Sequence, residues 1–321
     1  MATVRPSNQI ALNQNLSPTI SVVLATYNGE KYIQEQLDSV LNQSYKNLEI
    51  IIVDDCSTDN TITILNKYAT EHSNIKLFRN EKNLGFIKNF DKGCSLASGE
   101  YIALCDQDDY WDKYKIEKLY SNIGDAPMVY SDSFLCDDKL NKSGKKVSDK
   151  VNCMTINSCL QHAVFCRIYG HATLMSKSLY RRATPFIPDI PHDWWLCFIA
   201  STMGEIKYVD EPLSYYRQHS LNMIGIAGGK KRGHHKQNKK RGEKEKIRRR
   251  VQAFYNICPD SLVKEKKVLN NLLRFYKNFF LLSNLKRVIL FFKYYKYFLA
   301  PKKRSLLSNY LFCIKMFITI K

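Results

Sequence analysis

Between residues 19 and 105 four short apolar runs are joined by three links with turn or helical character. Residues 19–26 (TISVVLAT), 48–53 (LEIIIV), 75–78 (IKLF) and 101–105 (YIALC) read as strands bounded by turn residues. Between the first two, Ile33, Leu37, Val40 and Leu41 recur at i, i+4, i+7 and i+8, the spacing of one helix face. A second helix, with Ile62, Leu65 and Ala69 facing inward, is expected to be capped by Ser57 or Thr58. A third follows the turn Asn83-Leu84-Gly85 and runs to Ala97. Apolar strands joined by helices specify an α/β fold, a Rossmann-like, mostly parallel central sheet with helices on both faces.

Such sheets bind ligands at the carboxyl ends of their strands. Here those ends read Thr26-Tyr27-Asn28, Asp54-Asp55 and Asp106-Gln107-Asp108-Asp109. Three carboxylates within four residues repel one another and raise one another's pKa, which a divalent cation, Mg²⁺ or Mn²⁺, relieves. The alternative is an acidic, solvated turn. The first turn lacks the Gly-x-Gly-x-x-Gly pattern of a dinucleotide site, which excludes a nicotinamide-dependent oxidoreductase of that kind.

Beyond residue 113 the pattern loosens. Residues 128–131, 172–176, 207–209 and 215–217 are strand-like, 137–150 form a charged loop or hairpin, and 193–203 a buried helix. Charge then divides the chain. Residues 230–250 hold twelve Lys/Arg against two Glu, and residues 266–321 hold thirteen Lys/Arg and no acid. The remainder, with 24 Lys/Arg against 28 Asp/Glu, is close to neutral. A cationic end signals a polyanionic partner. Because Lys/Arg alternate with thirteen Phe/Tyr in 266–321, an anionic membrane surface fits, with aromatic side chains down and cations on headgroups. A helical extension packed on the body is the plainer reading. The rival partner is nucleic acid, against which the acidic sheet edge argues, so none is expected. Ten cysteines without a Cys-x-x-Cys pair, and residues 1–18 without an apolar leader, suit a cytoplasmic protein.

Two long blocks, SVVLATYNGEKYIQEQLDSVLNQSYKNLEIIIVDDCSTDNT and NEKNLGFIKNFDKGCSLASGEYIALCDQDDYW, resemble family-2 glycosyltransferases of the GT-A fold, and DQDDxW, PHDWWL and YRQH resemble the rhamnosyltransferase-like branch. The resemblance spans roughly residues 19–225. It implies an inverting transfer from a nucleotide-sugar donor, dTDP-rhamnose or else a UDP-hexose, to a glycan or lipid-linked acceptor. By that resemblance Ala25, Thr26 and Tyr27 would line the base, with Tyr27 stacking on it or merely packing in the turn. Glu30 lies in the same turn. Asp55 would accept the pyrimidine N–H or cap the next helix. Asp106 and Asp108 would hold metal, with Gln107 and Asp109 beside them, Asp109 supporting the motif or touching the sugar. His219 would be a third metal ligand or a structural histidine, and Arg217 a contact to diphosphate or acceptor. Asp193 would be the general base or a helix cap, His171 would lie on the acceptor side, and at least one of Trp194 and Trp195 would be core. The expected organisation is an extension (1–18), a catalytic domain (19–225, with halves 19–112 and 113–225), a basic linker (226–250) and a helical membrane-associating region (251–321).

Overall fold

A computed structural model describes residues 17–219, 236–278 and 280–317. The first half runs β1 (Ile20–Thr26), α1 (Ile33–Leu41), β2 (Leu48–Asp54), α2 (Thr61–Glu71), β3 (Ile75–Arg79), α3 (Phe86–Leu96), β4 (Tyr101–Asp106), β5 (Tyr110–Trp111) and α4 (Lys115–Ile123). There follow β6 (Met128–Cys136), β7 (Lys142–Lys146), β8 (Thr173–Ser176), α5 (Lys177–Ala183), α6 (His192–Met203) and β9 (Ile206–Arg217). Four helices complete the described chain: α7 (Lys236–Ile257), α8 (Val263–Lys277), α9 (Leu281–Phe298) and α10 (Leu306–Lys315).

One sheet carries the order β3-β2-β1-β4-β8-β6-β9-β5, with β7 paired to β6. The β3-β2-β1-β4 half is wholly parallel, as the strand–helix alternation requires. Beyond it, β8 pairs antiparallel with β4 and β6, while β9 runs parallel to β6 and antiparallel to β5. Side chains alternate across the pleat into two cores. Val22, Leu24, Ile50 and Ile52 pack against α1, α2 and α4 through Leu37, Leu65 and Leu119. Val23, Ile51 and Val53 face the opposite core, which holds Phe90, Trp195 and Leu196 and extends to Phe254, Leu272, Phe291 and Phe312 of the last four helices.

Three expectations change. The second helix begins at Thr61 with Asn60 as its cap residue, not at Ser57 or Thr58. Cys56 turns left-handed at φ 65°, and Ser57 is held by Asp54, its backbone N–H donating to that carboxylate at 3.0 Å. Residues 236–250, expected as linker, form most of α7, because Ile247, Val251 and Phe254 fall on one face and are buried; Phe254 stacks on Phe198 at 3.8 Å. Residues 1–16 and 226–235 of the expected extension and linker lie outside the described residues. Asp193 is not a cap either: Pro191 holds that position, and Asp193 sits in the first turn of α6.

Candidate active site

Strand register places the three expected turns side by side. Thr26 pairs with Asp54 across β1 and β2, and Ala25 pairs with Asp106 across β1 and β4. The turn after β1 is then locked by its neighbours. Gln107 Oε1 accepts from Thr26 Oγ1 at 2.7 Å and from the Tyr27 backbone N–H at 2.8 Å, and its amide donates to Tyr27 O at 3.2 Å. Gly29 follows because a Cβ there would lie 2.6 Å from Gln107 Oε1. Glu30 reaches across to accept from the Asn60 backbone N–H at 2.9 Å. With its backbone fixed, Tyr27 stays 45% exposed, leaving a ring face open to a planar ligand.

Asp55 is buried. Its carboxylate accepts from Asn80 Nδ2, the Leu84 N–H and the Gly85 N–H, each at 2.8 Å. It thus fixes the loop before α3 and does not cap α2. A carboxylate offers about four lone-pair sites, so one remains for a further donor.

The acidic motif divides by depth. Asp106, whose side chain is 40% exposed, stands at the rim. Desolvation and the neighbouring Asp108 raise its pKa. Asp108 Oδ2 lies 2.9 Å from His219 Nε2, and Tyr32 stacks on that imidazole at 4.9 Å. Asp109 is fully buried; its Oδ1 accepts from the Arg217 backbone N–H at 3.0 Å, while Oδ2 makes no hydrogen bond and lies 3.4 Å from His171 Nδ1. Burial, then Asp108 and Asp106, pushes its pKa well up. Asp106, Asp109 and His171 together form a cluster whose potential ligand atoms lie within 4.8 Å of one another.

Two basic side chains sit behind the motif. Arg217 is buried, and its guanidinium donates to Asp108 O at 2.7 Å and Asp138 O at 2.6 Å, pairs with Glu35, and lies 4.6 Å over the Tyr32 ring. This arginine therefore braces the motif's backbone, where the sequence suggested a diphosphate or acceptor contact. Lys115, which sequence reasoning missed, is also fully buried. Its ammonium donates to the His171 carbonyl and to Ser214 Oγ, and sits 3.7 Å over Trp111. Burial pushes its pKa down to about 7. The missed signal was its position four residues before Leu119, on the inner face of α4. His171, held by Ser133 Oγ at 3.1 Å, lies beneath the motif, and burial pushes its ring down to about 3, so it is neutral.

Asp193 enters from α6. Its Oδ1 accepts from the Trp194 N–H at 2.7 Å. Burial, then Cys166, raises its carboxyl well above the usual range, and Asp106 adds to the rise, so the two acids sense each other. Trp195 is core, its indole donating to Ala183 O at 2.7 Å; Trp194 is half-buried, with the Arg250 guanidinium 3.9 Å over its ring.

The family profile for glycosyl transferase family 2 matches residues 21–182. The protein named "Putative glycosyltransferase EpsE" of Bacillus subtilis is 41% identical over 203 residues, covering 57% of this chain and 68% of that one. An "Uncharacterized glycosyltransferase" of Haemophilus influenzae is 30% identical over 213 residues, 63% of this chain and 66% of its own. A 117-residue stretch, 36% of this chain and 46% of the relative, is 42% identical to the "Putative teichuronic acid biosynthesis glycosyltransferase TuaG" of Bacillus subtilis. The chain thus spans less than two thirds of the length of several curated relatives, 59% in the case of a Mycobacterium bovis protein. Among solved structures, S. aureus TarS 1-349 in complex with UDP has a TM-score of 0.56 at 17% identity, covering 92% of this chain and 90% of that one. At that identity the likeness concerns the fold.

Proposed function

Because the chain belongs to glycosyl transferase family 2, we propose that it moves a sugar from a nucleotide-diphosphate donor to a hydroxyl of a glycan or lipid-linked oligosaccharide, with inversion at the anomeric carbon. One observation carries the reading. The turns closing β1, β2 and β4 meet at a single sheet edge, with Asp106 and Asp108 at its centre and Asp193, on α6, within electrostatic reach of Asp106. Tyr27 offers an exposed ring to the base, and Asp55 has a lone-pair site left for a pyrimidine N–H. The donor is a dTDP- or UDP-sugar, dTDP-rhamnose first and a UDP-hexose next.

Asp106, Asp108 and His219 are the residues that would hold a divalent cation, Mn²⁺ or Mg²⁺. The donor set fits: desolvation and then the Asp108 charge raise the Asp106 carboxyl, a strain that a cation relieves, and His219 already lies against Asp108. The inner group of Asp106, Asp109 and His171 suits a cation less well, because the amine of buried Lys115 lies close to it and Asp109 is tied to the Arg217 N–H. When bound, the metal offsets charge developing on the departing diphosphate. Asp193 takes the proton of the acceptor hydroxyl as attack proceeds; its raised pKa makes it a stronger base once ionised. Asp109, Arg217 and Gln107 hold the motif and the first turn in place.

One relative is named for teichuronic acid biosynthesis, and surface-polysaccharide synthesis is the process we assign. The enzyme would work at the cytoplasmic face of the plasma membrane, drawn to anionic lipid by residues 230–321. A thermal-shift screen of nucleoside diphosphates with Mn²⁺ tests the donor site. UDP or dTDP should raise Tm only with metal; a flat response to every nucleotide would sink the reading.

A further inference from the structure

Helices α9 and α10 are apolar on two faces. Inward, α9 buries Leu290, Phe291 and Phe298, and α10 buries Phe312 and Cys313, all within the main core. Three of the aromatic rings expected to face lipid, Phe291, Phe298 and Phe312, are therefore turned into the protein. Outward, Leu282, Leu285, Ile289 and Phe292 of α9 follow one another at spacings of three, four and three, a single helix face. Leu285 is 49% exposed and Ile289 58%. On α10, Leu307, Leu311 and Ile314 repeat the pattern, with Leu307 68% exposed and Leu311 57%. The rings of Phe292 and Tyr310 lie 5.8 Å apart and join the two stripes. Several large apolar side chains exposed together on adjacent helices mark an interaction surface.

Charge selects the partner. Lys286, Lys293, Lys296, Lys303, Arg304 and Lys315 are exposed on and beside these two helices. Residues 266–321 contain no acid at all. Two copies meeting through this face would bring like charges together, which is unfavourable. An anionic bilayer meets both demands, taking up leucine and isoleucine side chains below headgroups that attract lysine and arginine. No helix among the described residues is long and apolar enough to cross a membrane, so the contact is one of lying on the surface.

We propose that the outward faces of α9 and α10 form one apolar plate that docks this chain on an anionic lipid bilayer. The proposal rests on the membrane placement given above and names the surface that produces it. The test is co-sedimentation of the full chain with phosphatidylcholine vesicles, with and without phosphatidylglycerol, at low and high salt. A variant carrying Leu285→Ser, Ile289→Ser, Leu307→Ser and Leu311→Ser removes apolar area and keeps every charge. Its substitutions are at exposed positions, and an unchanged Tm verifies the fold.

Wild type should bind the anionic vesicles and retain part of that binding at high salt. The serine variant should bind about tenfold more weakly or worse, while its nucleotide-induced thermal shift stays the same. If the serine variant binds like wild type while Lys230→Gln, Lys231→Gln and Arg232→Gln release the protein, the plate is wrong and the membrane placement stands on charge alone. If wild type ignores anionic vesicles, both fall, and the thermal shift still reports separately on the donor site. A dimer in solution that the serine variant breaks, without vesicle binding, would assign the face to a second copy and overturn the proposal.

Discussion

His219 Nε2 lies 2.9 Å from Asp108 Oδ2 although 111 residues separate them in the chain. The pairing of β9 with β5 and β6 delivers it: Tyr215 sits opposite Tyr110, which places the residues after β9 against the acidic motif. Tyr32 then stacks on the imidazole and limits its orientation.

That contact makes a test of the proposed metal site. Asp108→Ala or His219→Ala removes one member of the pair. Each should abolish Mn²⁺-dependent nucleotide binding in calorimetry, and Asp108→Ala should lower transfer by about 10³-fold, the rate equivalent of several kcal/mol. Unchanged Mn²⁺-dependent binding in Asp108→Ala would overturn the assignment.

Asp193→Asn keeps the size of the side chain and removes the base. Donor affinity should hold while transfer slows by about 10²–10⁴-fold. The pH profile adds a second readout. A base works only when ionised, and burial raises this carboxyl. Activity should therefore fall as pH drops through a value above the ordinary carboxylate range, and that acid limb should vanish in the variant. A collapse of donor affinity with transfer preserved at saturation would remove Asp193 from the role.

Lys115→Met leaves the buried His171 carbonyl and Ser214 hydroxyl without their donor. Leaving a buried polar group without its partner costs about 1–3 kcal/mol. Urea unfolding should show that loss; a midpoint within error of wild type would mean that the lysine does not brace the motif.

Gly29→Ala introduces a Cβ 2.6 Å from Gln107 Oε1 and 2.9 Å from Thr26 Oγ1. Overpacking of this kind costs about 1–3 kcal/mol. Because the strain falls on the Tyr27 turn, nucleotide affinity should drop by about tenfold or more with the fold retained by circular dichroism. Wild-type affinity would show that Gln107 and Thr26 move aside without disturbing Tyr27.

Much of the site was legible because parallel strands of one sheet half end at one edge. Once residues 19–105 alternate strand and helix, Tyr27, Asp55 and Asp106–Asp109 must lie together, whatever the rest of the chain does. The period of the apolar residues settled this from within short windows. Nothing local could settle what pairs across a hundred residues. That Arg217 supports the motif from behind, that His171 is buried under it, and that Lys115 brings its amine to the same interior all depend on β8 and β9 joining the sheet. The same limit applied to the C-terminal helices. Their sequences carry apolar residues on two sides, and only packing against Phe254, Leu272 and the main core decided that Leu290, Phe291, Phe298 and Phe312 turned inward while Leu285, Ile289, Leu307 and Leu311 stayed outward.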